Sequence, residues 1–250
     1  MELDGKVCLV IGASRGIGRA AAEAIAAQGA QVILASRDEV ACGAVAAEIG
    51  ANGGAACAQV ADVTDPDSLD RLGEFIEQEF GQIDLAFLNA GTLRGAAPIP
   101  EIPREQLRIT VETNLYGAFF SLQTVLPLMR KHADSSIVIN SAGNGLRGRP
   151  LVADYVASKW GVVGLGLSAA LEAATDGIRV NVIAPGFIGT DAWMAKLGAQ
   201  QDSLAARVPL GAIGKPEDVA AVVVWLLSPA SRYVTGSVVP IDGGLLAAGG

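Results

Sequence analysis

Seven short apolar runs alternate with longer helical patterns along this chain, and that alternation constrains the fold more than any single residue does. The runs at 7–11, 31–35, 55–60, 85–88, 137–140, 179–184 and 237–241 are apolar and rich in β-branched residues, and they read as strands. The stretches 17–28, 39–49, 66–80, 105–131, 154–174 and 216–227 between them read as helices. A strand that is apolar on both faces is covered on both faces, so strands of this kind separated by helices build a parallel sheet between two helical layers. Local signals agree: Asp65 precedes Pro66 at a helix start, and Gly29 and Gly50 follow predicted helix ends. The expectation is a single α/β domain over residues 1–250, a doubly wound parallel sheet of about seven strands. No repeat, low-complexity linker or charge block marks a second domain.

With 51% hydrophobic and only 18% charged residues, much of the chain must be buried in a core or between subunits. A net charge of −8 and a pI near 4.7 argue against nucleic acid or an anionic membrane as partner. The longest apolar run, 219–227, is half the length a membrane span requires, and Met1 to Lys6 lack the form of a signal peptide. A cytoplasmic protein is expected. Cys8, Cys42 and Cys57 have no metal-like spacing and read as small hydrophobes in a reducing compartment. His132, the only histidine, follows Arg130 and Lys131 near a helix end, where the helix dipole accounts for it. No metal site is expected.

The first strand runs into Gly12-Ala13-Ser14-Arg15-Gly16-Ile17-Gly18 and then an alanine-rich helix. Gly12 permits a tight turn, Gly16 lets backbone approach a pyrophosphate, and Gly18 lets the helix sit close to the sheet. The helix N-terminus supplies unpaired N–H groups and a positive dipole end. This is a Rossmann-like dinucleotide site. At the end of the second strand, Ser36 and Arg37 stand where an acidic residue would hold an NAD ribose, and Arg37 with Arg15 suits the dianionic 2′-phosphate of NADP(H). NADP(H) is therefore favoured over NAD(H). The competing reading uses Asp38 as the ribose ligand, although Asp38 also fits as the N-cap of the next helix.

Tyr155 and Lys159 lie four apart in a predicted helix and share one face. A phenol gives up its proton near pH ~10, and holding it near neutrality requires roughly 4 kcal/mol. A positive charge about 4 Å away, at an effective dielectric near 20, supplies about that much. An acid/base of this kind beside a dinucleotide implies hydride chemistry. The irregular region 187–214 follows a strand end, where α/β sheets bind ligands, and is a candidate substrate lid. Trp193 and Met194 in it either line the pocket or pack the lid down.

Together these pieces resemble the short-chain dehydrogenase/reductase family across essentially the whole chain. The matching residues are Gly12/Gly16/Gly18, Asp62-Val63, Asn89-Ala90-Gly91, Asn114, Ser141, Tyr155-x-x-x-Lys159, Pro185-Gly186-Phe187-Ile188-Gly189-Thr190 and Asp242-Gly243-Gly244. The resemblance implies an oxidoreductase in which Tyr155 is the general acid/base and Lys159 lowers its pKa and binds the nicotinamide ribose. It implies that Ser141 holds the substrate oxygen, and that Asn114 interrupts the long helix and binds a relay water. Asp62 would contact the adenine, Asn89 would hold the fourth strand near the cofactor, and Thr190 would orient the carboxamide. Pro185, Gly186 and Ile188 join the cofactor wall. A homotetramer or homodimer is implied as well, with Phe119-Phe120 and the apolar helix around Val222–Leu226 as core or subunit contacts.

The chain departs from the family pattern at Ile11 and Leu88, where threonine and asparagine are common, and Ser141 lies fourteen rather than thirteen residues before Tyr155. The extra residue falls in Ala142-Gly143-Asn144-Gly145. The expected reaction is interconversion of a carbonyl and a secondary alcohol on a small, largely apolar substrate. A 3-oxoacyl-carrier-protein reductase is an alternative, with Arg130, Lys131, Arg147 and Arg149 as a basic patch opposed by Glu172 and Asp176. A non-catalytic nucleotide sensor and a lyase or epimerase on the same scaffold are the other classes.

Overall fold

The computed structural model describes residues 1–129 and 134–248. Seven strands, β1 (Val7–Ile11), β2 (Gln31–Ser36), β3 (Ala55–Val60), β4 (Leu85–Leu88), β5 (Ser136–Asn140), β6 (Arg179–Pro185) and β7 (Val238–Ile241), form one sheet in the order β3-β2-β1-β4-β5-β6-β7. Every pairing is parallel. The order reverses direction between β1 and β4, so the sheet is doubly wound and its crevice lies beyond the carboxyl ends of those two strands.

Both faces are buried, as the strand composition requires. On one, α1 (Gly16–Ala27), α2 (Glu39–Ala51) and α9 (Pro216–Leu227) pack Ile25, Val45, Val223 and Leu226 against Val10, Val32 and Phe87. On the other, α3 (Pro66–Glu79), α5 (Gly117–Met129) and α6 (Ala153–Ala173) pack Leu72, Ile76, Val125 and Val162 against Leu9, Ile33 and Ile139. Asp65 caps α3 by accepting from the Asp67 N–H at 3.1 Å, with Pro66 at the first helical position.

Several predicted boundaries move. Ser136 begins β5, with its hydroxyl donating to the Leu226 carbonyl at 2.9 Å, whereas the sequence reading placed it before the strand. The α2 helix continues through Gly50 to Ala51, and Gly53, at φ +81°, takes the left-handed position instead. The predicted helix 105–131 is two helices, α4 (Arg104–Val111) and α5, joined by a π-turn over Glu112–Tyr116. Its end lies outside the described residues, with Arg130, Lys131 and His132. The α9 helix buries Val219, Ala220, Val223, Leu226 and Leu227, while Trp225 is 41% exposed, so in the single chain it is covered on one face only.

Candidate active site

Four residues, each one step beyond a strand, lie along the carboxyl edge. Gly12 N–H donates to the Ala35 carbonyl at 2.8 Å, Asn89 N–H to Ile11 at 3.0 Å, Ser141 N–H to Ile183 at 2.9 Å, and Gly186 N–H to Ile241 at 2.9 Å. Each hydrogen bond continues the parallel ladder by one position and fixes a predicted site residue against its neighbour strand.

The glycine turn fits a dinucleotide pyrophosphate. Gly12 adopts φ +81°, and a Cβ there would lie 2.9 Å from the Ala90 nitrogen. A Cβ on Gly18 would lie 2.0 Å from the Gly12 carbonyl, so only glycine lets α1 sit this close to the sheet. A Cβ on Gly16, at φ +55°, would lie 2.9 Å from Thr190 Cγ2, so the segment after β6 lies against the turn. The N-terminal N–H groups of α1 open into this crevice. At the end of β2, the Ser36 hydroxyl donates to the Asp38 carbonyl at 3.2 Å. Asp38 caps α2 by accepting from the Ala41 N–H at 3.0 Å. Arg37 extends into solvent, 4.0 Å from the Asp62 carboxylate. Asp62 also accepts from the Thr64 N–H and hydroxyl, at 2.9 and 2.7 Å.

A chain of amides crosses the floor of the site. Asn140 Nδ2 donates to Asn89 Oδ1 at 2.7 Å, and Asn89 Nδ2 donates to the Gly12 carbonyl at 3.0 Å. Asn140 thereby supplies the tie that Leu88, buried in the core, cannot give. Asn114 sits in the π-turn, where the widened helix turns its side chain inward. Its Oδ1 accepts from the Thr92 N–H at 2.6 Å, and its Nδ2 donates to the Thr92 carbonyl at 3.0 Å and the Ser158 hydroxyl at 2.9 Å.

Tyr155 and Lys159 lie on α6, with Lys159 turned to the end of β5. Lys159 is 3% exposed, and its Nζ donates to the Asn140 carbonyl at 2.9 Å, 5.9 Å from the centre of the Tyr155 ring. Burial holds the ammonium down at about 8 and pushes the phenol up to about 12, with the Arg149 guanidinium pulling the phenol the other way. This corrects the expectation of a phenol held near neutrality by Lys159: the lysine is turned to the β5 carbonyl, and desolvation of the phenol prevails.

Ser141 is buried, and its hydroxyl donates to the Lys159 backbone carbonyl at 2.9 Å. The additional residue between Ser141 and Tyr155 is absorbed by a 3₁₀ turn over Gly143–Gly145. A Cβ on Gly145 would lie 2.4 Å from the Ser141 Oγ.

Ser141 and Tyr155 line one cavity of about 230 Å³ together with Asn140, Ile17, Thr190 and Trp193. Pro185, Gly186 and Ile188 form its β6 side. Region 187–214, expected as a lid, contributes Phe187, Ile188, Thr190 and Trp193 to the lining and folds as α7 (Asp191–Leu197), a 3₁₀ turn over Gly198–Gln200 and α8 (Gln201–Ala205). Trp193 stacks on Phe187 with ring centres 5.9 Å apart and faces the cavity, whereas Met194 packs against Gly189, so the two residues divide the roles proposed for both.

The chain matches, over residues 12–246, the family model described as enoyl-(acyl carrier protein) reductase. It is 39% identical over 246 residues to the 3-oxoacyl-(acyl-carrier-protein) reductase of Thermotoga maritima, covering 98% of this chain and 100% of that protein. It is also 39% identical over 252 residues to the L-rhamnose 1-dehydrogenase (NAD(P)(+)) of Azotobacter vinelandii, covering 98% of each. Among solved structures, a short-chain type dehydrogenase/reductase from Mycobacterium marinum superposes with a TM-score of 0.92 at 35% identity, over 98% of this chain and 96% of that one.

The chain belongs to the short-chain dehydrogenase/reductase family. It is an oxidoreductase of the carbonyl/alcohol type. In this short-chain dehydrogenase/reductase the predicted residues separate into two neighbourhoods. Asn114, Ser141, Tyr155 and Lys159 gather around α6 and β5, while Gly12 to Gly18, Ser36, Arg37, Asp62 and Val63 lie toward β1–β3. Asn89, Ala90 and Gly91 bridge them: a Cβ on Gly91 would be 3.3 Å from both Lys159 Nζ and Asn114 Oδ1. Sequence reasoning missed Asn140 as the amide tie and Gly145 as the close approach to Ser141. The position of Gly145 in the lengthened Ser141–Tyr155 interval was the available signal.

Proposed function

We propose that this enzyme is an NADP(H)-dependent carbonyl reductase in which Tyr155 transfers the proton. The observation that carries the reading is the cavity shared by the Tyr155 phenol and Ser141 at the carboxyl edge of β5, beside Thr190 and the glycine turn.

NADP(H), when bound in this crevice, would supply the hydride. Gly12, Gly16, Gly18 and the N–H groups of α1 would hold its pyrophosphate, and Asn89, Ala90, Gly91, Pro185, Gly186, Ile188 and Thr190 would enclose the nicotinamide side. NADP(H) rather than NAD(H) is supported by the exposed Arg37 and Arg15 beside Ser36, and by the engagement of Asp38 as a helix cap. Asp62 and Val63 flank the adenine.

The substrate carbonyl sits between Ser141 and Tyr155. The Ser141 hydroxyl turns from the Lys159 carbonyl to the substrate oxygen, and Tyr155 donates its proton to that oxygen as charge develops on it. A phenol at about 12 is fully protonated at neutral pH, which suits the reductive direction. Lys159, charged below about 8, stabilises the phenolate left behind. Asn114 holds the Gly91–Thr92 backbone and Ser158 around the lysine and orders the relay from Lys159 to solvent.

A second reading, a 3-oxoacyl-carrier-protein reductase, is favoured by the relatives that carry that name. The exposed Tyr116, Phe119, Trp160 and Leu171 on the π-turn, α5 and α6 support a homotetramer, or a homodimer, of a cytoplasmic enzyme. Among the described residues, no helix is long and apolar enough to cross a membrane.

The test is oxidation of NADPH and NADH with free ketones, β-keto esters and β-ketoacyl thioesters, on the native enzyme and Tyr155→Phe. Cofactor-dependent reduction that falls at least 1000-fold in Tyr155→Phe while NADPH still binds is the expected result. Undiminished turnover in that variant would exclude the assignment.

A further inference from the structure

The wall of the cavity beyond Tyr155 is cationic. Arg147 and Arg149 line it, both on the segment that links β5 to α6. Arg149 lies over the Phe187 ring, its Cζ 5.8 Å from the centre, and Arg207 from region 187–214 lies over the same ring at 5.6 Å. None of the three arginines has an ion pair among the described residues, although the chain as a whole carries net charge −8. The carboxylate in the lining, Asp242, is engaged by the backbone N–H groups of Gly244 and Leu246, both at 2.9 Å. Arg149 and Arg207 are solvent-exposed, and the like charges of Arg207 and Arg147 oppose the charge on Arg149. Guanidiniums drawn together at the rim of a cavity present a local positive field to an anion that enters it. The Phe187 ring attracts two of them, and the Arg149 guanidinium at the cavity can bind a planar or tetrahedral oxyanion.

We propose that the substrate carries an anionic group, a carboxylate or a phosphate, held by Arg149 and Arg147 while its carbonyl lies at Ser141 and Tyr155. This deepens, and rests on, the carbonyl-reductase reading. It replaces the largely apolar substrate expected from the sequence. These arginines stand with the lid and the approach to α6, on the substrate side, whereas the pyrophosphate cradle is at the glycine turn.

The experiment compares kcat/KM for 4-oxopentanoate with that for its methyl ester, and for dihydroxyacetone phosphate with that for dihydroxyacetone, at saturating NADPH. The ratio of anion to neutral partner cancels any effect of Arg149 on Tyr155. A ratio of at least ten is expected in one pair, and the pair that shows it tells carboxylate from phosphate. Arg149→Ala is expected to bring that ratio toward one. Ratios at or below one in both pairs overturn the proposal, and so does a loss of NADPH affinity in Arg149→Ala that equals the loss for the anion. Binding is read separately by Trp193 fluorescence, in a protein with Trp160→Phe and Trp225→Phe, titrated with acetate and with inorganic phosphate. Saturable quenching by one of them, lost in Arg149→Ala, is expected, and its absence for both overturns the anion site. If no ketone is reduced at all, the reductase reading falls, and the titration still decides the anion site.

Discussion

Lys159 donates to the Asn140 main-chain carbonyl at 2.9 Å, and through that bond the buried ammonium is held by the end of β5. The Asn140 side chain in turn holds Asn89, and Asn89 holds Gly12. The lysine, the serine-bearing strand and the glycine turn are therefore one mechanical unit.

Lys159 ordinarily titrates at 10.5 and is held at about 8 by burial. At pH 7 it is charged in both folded and unfolded chains, and its confinement destabilises the fold by about 3 kcal/mol. The cost is fully present below about 8, shrinks as pH rises and is gone above 10.5. Lys159→Met is expected to melt several degrees higher at pH 7 while losing turnover at least 100-fold, and its stability advantage is expected to vanish by pH 10.5. Thermal melts of both proteins across that range check this.

The reductive rate has a sign of its own. Tyr155 stays protonated up to about 12, so loss of activity with rising pH comes first from Lys159. The expected kcat/KM for ketone reduction is level below pH 7 and declines through about 8. A profile that rises across this interval contradicts the assignment of Tyr155 as the acid.

Gly145→Ala would place a methyl carbon 2.4 Å from Ser141 Oγ and 2.8 Å from the Lys159 carbonyl. Overpacking of this kind costs about 1–3 kcal/mol, and it pushes Ser141 off its position. A tenfold or greater fall in kcat is expected, with a lower melting temperature. Gly148→Ala, which meets nothing within 4 Å, is expected to melt as the native protein does.

Arg37→Ala is expected to raise the KM for NADPH tenfold or more and to leave that for NADH within twofold, as the proposed contact of its solvent-exposed guanidinium with a 2′-phosphate requires. Steady-state kinetics with both cofactors measure the difference.

The sheet and most of its helices were legible because their signals are local. Buried parallel strands are uninterrupted apolar runs, and β1, β3, β4 and α9 begin and end where composition says they do. The site was legible where chemistry is tied to spacing, in the glycine turn and in the four-residue interval from Tyr155 to Lys159. What escaped was set by contacts across the chain. The break between α4 and α5 carries one local signal, Gly117 at the end of the π-turn, and a lone glycine does not by itself end a helix; Asn114, known through resemblance, pointed there. Gly50 lies inside α2, and the left-handed residue falls three positions later, at Gly53. Arg149 acquires its place from Phe187, thirty-eight residues further on, and no periodicity encodes that meeting.

Region 187–214 is fastened at its root: Gly214 N–H donates to the Phe187 carbonyl at 3.0 Å, and Gly189 N–H donates to the Gly214 carbonyl at 2.8 Å. A parallel bridge between Ile188 and Gly214 closes this segment on itself, which makes much of what lies between the two an interchangeable cassette. Evolution, or an engineer, can rewrite the sequence between those anchors to receive a different molecule while the seven strands and the proton-transfer machinery beneath stay as they are.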